Sequence, residues 1–294
     1  VARPSIKLRS GDLEARISPY GAELVGLRHA EHGELLWGGD KTWWDRQSPL
    51  MFPVVGRSIG DHVAVDGQTY PMPLHGFAHS MVFDVLSASE TEMHLRLSDS
   101  AESHTHYPFP FQLDLTYRFE GSSLFIDAVT TNTGNAPLPA QFGFHPGFVW
   151  PLLGASDRFG HAMILEADDH LDVLRAQDGF MLSQPTRLEL QDRRLDLSDD
   201  LFEDGAMVMR NPASRSVLYE ADGADCAIRV SWSGLSRLLF WTRPGAPFIC
   251  IEPWAGEPDP AGFTGELSER PGVELIAPGD FLTYGIEIAI ADPI

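Results

Sequence analysis

Three side chains stand in local contexts from which proton chemistry could be done. His145 lies in Gln141-Phe142-Gly143-Phe144-His145-Pro146-Gly147-Phe148-Val149-Trp150-Pro151. The following proline steers its backbone out of the α region into an extended conformation, and Pro146 itself can donate no ladder hydrogen bond. Such a residue belongs at the end or edge of a strand, with its side chain projecting toward a cleft. Gly143 and Gly147, having no Cβ, would leave a ligand room to approach. Glu252 closes the apolar run Phe248-Ile249-Cys250-Ile251 and likewise stands before a proline, Pro253. His75 sits between the breakers Pro73 and Gly76, in a loop of the kind where functional side chains concentrate.

A carboxylate and an imidazole facing one substrate are the minimum set for removing one proton while supplying another. Burial against Phe248 and Trp254 would raise the carboxylate's pKa by desolvation and make it a better base near neutrality. A structural reading stands beside this one: His75 tying down its loop, His145 satisfied by a backbone carbonyl, Arg57 paired with a carboxylate on an acidic surface.

Other chemistries are less well served. Two histidines and a glutamate can bind a metal, but no short His-x-Glu or His-x-x-x-His spacing joins them, so neither a metal site nor a cofactor is expected. A serine hydrolase is not expected, on the reading that the chain has no Gly-x-Ser-x-Gly elbow. A glycosidase needs a second carboxylate, for which Asp204, Glu257, Asp259 and Glu266 are available.

The elements that must position these residues read as strands. Ile6, Leu8, Leu13, Ala15 and Ile17 alternate with polar residues around Ser10-Gly11-Asp12, and Val63 to Tyr70 turns at Asp66-Gly67. Phe111, Leu113, Leu115, Tyr117 and Phe119 share one face of a long strand that returns through Gly121. Lys41 to Asp45 reads as one helical turn too short to anchor anything, and Ala155 to Arg187 as polar and irregular. No sustained helical period with caps occurs. The pattern predicts an all-β chain, folded over 1–294 as one large domain.

Composition narrows the partners. With 43% hydrophobic residues, 17 Phe and 7 Trp, the 294 residues can fill a sizeable core. A net charge of -21 opposes binding to nucleic acid or an anionic membrane and favours a neutral ligand. Cys226 and Cys250, the only cysteines, fit reduced buried thiols. No apolar run approaches a membrane span, and Val1-Ala2-Arg3-Pro4 opens no signal-like segment, so a cytoplasmic monomer or homodimer is expected.

Taken in order, Leu50-Met51-Phe52-Pro53-Val54-Val55-Gly56-Arg57, Leu74-His75-Gly76-Phe77-Ala78, Gly143-Phe144-His145-Pro146-Gly147-Phe148 and Cys250-Ile251-Glu252-Pro253-Trp254-Ala255-Gly256 resemble the aldose 1-epimerases, or mutarotases, of the bacterial branch. The resemblance covers nearly the whole chain. It implies a large antiparallel β-sandwich holding a sugar in an open cleft, with no cofactor. It implies Glu252 as general base at the anomeric hydroxyl and His145 as general acid at the ring oxygen. His75 and Arg57 would bind the sugar; Trp254, from its type and place, would be a stacking wall. In relatives an aspartate in an Asp-Ala-Leu-like segment also binds sugar, whereas here Leu201-Phe202-Glu203-Asp204-Gly205-Ala206-Met207 has glycine in its place, leaving Asp204 one position early. Two alternatives stay open: a carbohydrate-binding protein without turnover, and a hexose-phosphate mutarotase, for which Arg46, Arg57 and Arg243 are the candidate phosphate ligands.

Overall fold

The computed structural model describes residues 4–182 and 184–293; the N-terminal Val1-Ala2-Arg3 and the last residue of the expected 1–294 span lie outside them. Among the described residues the regular structure is β, with helical pieces limited to 3-10 turns of three or four residues.

The long hairpin Phe111–Glu120 and Ser123–Asn132 shows why. Buried and less buried positions alternate strictly along both strands, and Leu115 faces Ala128 while Tyr117 faces Ile126. A period of two leaves one face for the core, and only pairing into a sheet satisfies the backbone behind it. This hairpin lies in an antiparallel sheet of nine strands with Glu92–Ser98 and Asp84–Ala88 on one side and Phe281–Ala291, Ala227–Ser233, Ser216–Ala221, His161–Leu165 and Arg194–Asp196 on the other. At the outer edge Asp84–Ala88 is exposed throughout.

A second antiparallel sheet carries the chemistry. Its order is Phe180–Met181, His170–Gln177, Ala206–Arg210, Arg237–Trp241, Phe248–Ala255, Phe142–Phe144 and Leu50–Met51, with Gly147–Val149 also paired to Phe248–Ala255 and Thr186–Glu189 to His170–Gln177. One apolar cluster joins the two sheets, taking Leu113, Tyr117, Ile126 and Ile286 from the first and Met207, Phe240, Ile249 and Ile251 from the second. Each such side chain contributes about 1.5–3 kcal/mol on burial, so the rear face of the second sheet is firmly fixed. Its front face carries Met51, Leu174, Ala206, Val208, Leu239 and Trp254 in a separate cluster.

The Ala155 to Arg187 segment corrects its sequence reading as an irregular loop, since it contains strands His161–Leu165, His170–Gln177 and Phe180–Met181. His161–Leu165 is buried on both faces and so shows no alternation, and Asp178-Gly179, both at positive φ, is a hairpin turn. No described helix is long and apolar enough to cross a membrane.

Candidate active site

Strand Phe248–Ala255 is buried along its whole length. Its odd-numbered side chains Ile249, Ile251 and Ala255 enter the inter-sheet core, while Phe248, Cys250 and Trp254 belong to the front-face clusters. Alternation therefore puts Glu252 on the front face with them. Gly143 pairs with Trp254 and Gly147 with Cys250, so the residue between them, His145, stands opposite Glu252. Both members of this opposed pair are followed by prolines, which interrupt the ladder, and Ile251 N–H donates to Pro146 O (3.2 Å).

The result is a buried carboxyl and a buried imidazole in contact. His145 Nε2 lies 3.3 Å from Glu252 Oε2, with 7% and 2% of the side chains exposed. Burial pushes the Glu252 carboxyl well above the usual carboxylate range, the Trp254 indole opposing this in part. Burial also lowers His145 to about 3, its own backbone opposing and His79 adding to the effect. In the free protein the pair thus favours a protonated carboxyl beside a neutral imidazole. Trp44 stacks on the His145 ring at 4.8 Å and Trp241 meets it edge-on at 5.7 Å. The short Lys41 to Asp45 turn, dismissed by the sequence reading, therefore anchors the imidazole through Trp44.

His75 approaches from the loop between strands. It has φ +65°, a left-handed conformation in which histidine is over-represented among non-glycine residues. Gly56 N–H donates to its Nδ1 (3.0 Å), which fixes the neutral tautomer and leaves Nε2–H as a donor. Desolvation, with His145 next, holds its pKa well below the usual histidine value. Its ring is edge-on to His145 at 5.5 Å and to Trp254 at 5.9 Å. Replacing His75 with Ala should orphan the Gly56 N–H and destabilise the fold by about 1–3 kcal/mol. Urea denaturation should show that loss, with His75→Asn, which tolerates the left-handed backbone, losing less; equal stability of Ala variant and wild type would refute the anchoring role.

These groups sit in a cleft of about 780 Å³ whose lining includes Arg57, His75, His145, Trp241, Glu252 and Trp254. Trp254 is only 3% exposed, so Trp241, half-buried on the same cleft, offers the more accessible wall. Arg57 lines the cleft but is engaged with Asp61 (2.8 Å) and with Asp178 O (3.1 Å). Asp204 is exposed and absent from the lining, whereas Glu203 and Gly205 are in it. Gly205 has φ +89°, and a Cβ there would stand 2.3 Å from Ala176 O, so this backbone has no room for a side chain at position 205.

The glycines flanking His145 also correct their reading. A Cβ on Gly143 would strike Met51 and Trp254 at 2.5 and 2.8 Å, and one on Gly147 would press on Trp44 at 3.0 Å. They make room for protein aromatics rather than for ligand.

The other carboxylates considered for a glycosidase have structural partners. Glu257 accepts from Arg210 and Arg237, Asp259 accepts from Ile59 N–H and pairs with Arg270, and Glu266 caps a 3-10 turn. A Gly-x-Ser-x-Gly spacing does exist, at Gly56-Arg57-Ser58-Ile59-Gly60, contrary to the expectation that the chain has none. Ser58 is fully buried with its Oγ accepting from Arg270 (2.6 Å), which leaves it no nucleophile's access.

Comparison with known proteins agrees with this architecture. The protein has 24% identity to the galactose mutarotase related enzyme of Lactobacillus acidophilus, covering 99% of both chains at a TM-score of 0.90. It has 27% identity to a galactose mutarotase-like protein of Lactobacillus casei, covering 98% of this chain and 100% of that one at a TM-score of 0.87. It is 25% identical to the plasmid-encoded protein LacX of Lactococcus lactis subsp. lactis over 97% of this chain and 99% of that protein. The fold is thus the large antiparallel sandwich of galactose mutarotase-like proteins. The profile of the aldose 1-epimerase family matches residues 4–273, and the chain belongs to that family.

Proposed function

We propose that the protein interconverts the α and β anomers of a free, neutral aldose. The observation that carries this reading is the Glu252–His145 pair, a carboxyl and an imidazole 3.3 Å apart at the floor of an open cleft. In the ring-opening step the Glu252 carboxylate takes the proton of the anomeric hydroxyl, the C1–O5 bond breaks as C1=O1 forms, and imidazolium His145 protonates O5. The aldehyde turns about C1–C2. Reclosure on the other face returns the O5 proton to His145 and the Glu252 proton to O1.

Two protons move in each step, one at Glu252 and one at His145, so the pair holds one proton throughout the cycle. Carboxylate with imidazolium opens the ring, and carboxylic acid with neutral imidazole accompanies the open chain. These two states carry equal charge and differ only in where the proton sits, so the pair titrates as a unit. Burial in the free protein favours the second state. Sugar hydroxyls hydrogen-bonding to the carboxylate restore the first.

A free sugar fits the charge pattern better than a phosphorylated one. Arg57 is committed to Asp61, and Arg46 lies 3.6 Å from Glu23 and donates to His79 O (3.0 Å). Of the three arginines considered, only Arg243 lacks an ion pair among the described residues.

Polarimetry on freshly dissolved α-D-glucose and α-D-galactose tests the proposal. Wild type should accelerate the decay of rotation with at least one sugar, and His145→Asn should lose about 10²-fold or more. No acceleration of either sugar by wild type would refute the free-hexose reading.

A further inference from the structure

The acid–base pair has a third neighbour that the proton cycle does not use. One imidazole nitrogen of His145, the Cys250 thiol sulfur and a Glu252 carboxylate oxygen all lie within 4.8 Å of one another, and all three residues are buried. The expectation of no metal rested on spacing along the chain between the two histidines and Glu252. Strand pairing creates a different trio, because Cys250 and Glu252 share a face two residues apart and His145 stands opposite.

We propose that His145, Cys250 and Glu252 form a binding site for a thiophilic divalent cation of the zinc class, and that its occupation shuts down the acid–base pair. The inhibitory half rests on the function proposed above, whereas the site itself does not. The donor set of thiolate, imidazole and carboxylate suits zinc or cobalt and not magnesium or calcium, which take oxygen ligands. Two ligands about 2.0–2.1 Å from a tetrahedral ion are themselves about 3.3 Å apart. The separation of His145 Nε2 from Glu252 Oε2 is 3.3 Å, so these two donors already have the required spacing. The sulfur, within 4.8 Å of both, needs to close by no more than about 1–1.5 Å, given a zinc–sulfur bond of about 2.3 Å. Glu252 Oε2 is buried and makes no hydrogen bond of good geometry, its near neighbour being His145 Nε2 at 3.3 Å, itself one of the three donors. A water would complete the tetrahedron as fourth ligand. On binding, the thiol and the carboxylic acid release their protons to solvent, and the two resulting negative charges neutralise the dication, which offsets the cost of holding it out of water.

The test uses the full chain stripped of metal by chelator and dialysis. Cobalt(II) should give a near-ultraviolet thiolate-to-metal charge-transfer band in wild type that is absent in Cys250→Ser and Cys250→Ala. Zinc should inhibit wild-type mutarotation reversibly by EDTA, and both Cys250 variants should keep basal turnover while needing at least tenfold more zinc for half inhibition. Absence of the cobalt band, or equal zinc sensitivity of wild type and variants, would overturn the proposal. A protein that gives the band but no mutarotation with any sugar would keep the site and remove the proposed function.

Discussion

Replacing Glu252 with Gln should lower the polarimetric rate by roughly 10²–10⁴-fold while sugar binding survives. The substitution is nearly isosteric, and a neutral amide resembles the protonated carboxyl that burial favours, so the cleft keeps its shape. What it cannot do is take or return a proton. The same variant should change the dependence of stability on pH in a calculable direction. Glu252 has a raised pKa in the fold, so above the ordinary glutamate value, about 4.3, the native state holds a proton that the unfolded chain has lost. Its contribution therefore falls as pH rises, and removing it should favour the variant increasingly above that value. His145 has the opposite sign. Lowered to about 3, it makes stability rise with pH up to the ordinary histidine value of about 6.5. In wild type the two slopes oppose one another in the window they share; in Glu252→Gln, of these two, only that of His145 remains. Denaturation curves at several pH values, run beside polarimetry and sugar titration, check both parts. Full turnover, or a stability–pH profile parallel to wild type, would contradict the role assigned to this carboxyl.

The legibility of the chain follows from what one-dimensional patterns encode. Phe111–Glu120 was readable because one of its faces is buried and the other is not, so period two appears in the letters. His161–Leu165 was not, because burial on both faces removes the alternation. Glu252 and His145 were readable as candidates because each precedes a proline after an apolar run. Their opposition across the ladder depends on register, which no local pattern carries. Cys250 was within reach, since a step of two from Glu252 along an extended strand returns to the same face. Trp44 was not, because its contact with His145 comes from a turn whose own sequence shows no chemistry. The place of Asp204 was not legible, because it depends on a steric contact: Gly205 is held by Ala176 O, and Asp204 is exposed outside the cleft lining.

Loss of the Arg270 guanidinium should be among the most destabilising single changes in the molecule, at about 3–5 kcal/mol for Arg270→Met. This side chain is 1% exposed and lies 3.2 Å from the equally buried Asp259. Its N–H groups donate to Ser58 Oγ (2.6 Å), Val55 O (2.7 Å), Glu257 O (3.1 Å) and Arg57 O (3.3 Å). It thus ties the segment Val55–Ser58 to the stretch that follows Glu252. Gln141 repeats the tie, accepting from Val55 N–H (3.0 Å) and donating to Glu257 O (3.1 Å). The clamped segment supplies the Gly56 N–H that sets the His75 tautomer, so the network reaches the cleft through one backbone group. Methionine would preserve most of the packed stem but leave the buried Asp259 without its ion-pair partner and Val55 O without a donor, while Glu257 O keeps Gln141 and Arg57 O keeps the Asp259 N–H. Urea unfolding measures the cost, and the double variant with Asp259→Asn separates its parts. If the uncompensated charge dominates, the double variant should recover a substantial fraction of the lost stability. If the orphaned Val55 carbonyl and the lost ties to Ser58 and Glu257 dominate, it should be no more stable than Arg270→Met. A single variant within about 1 kcal/mol of wild type would show that Arg270 fills space without holding the loop, because a lost buried ion pair costs more than that.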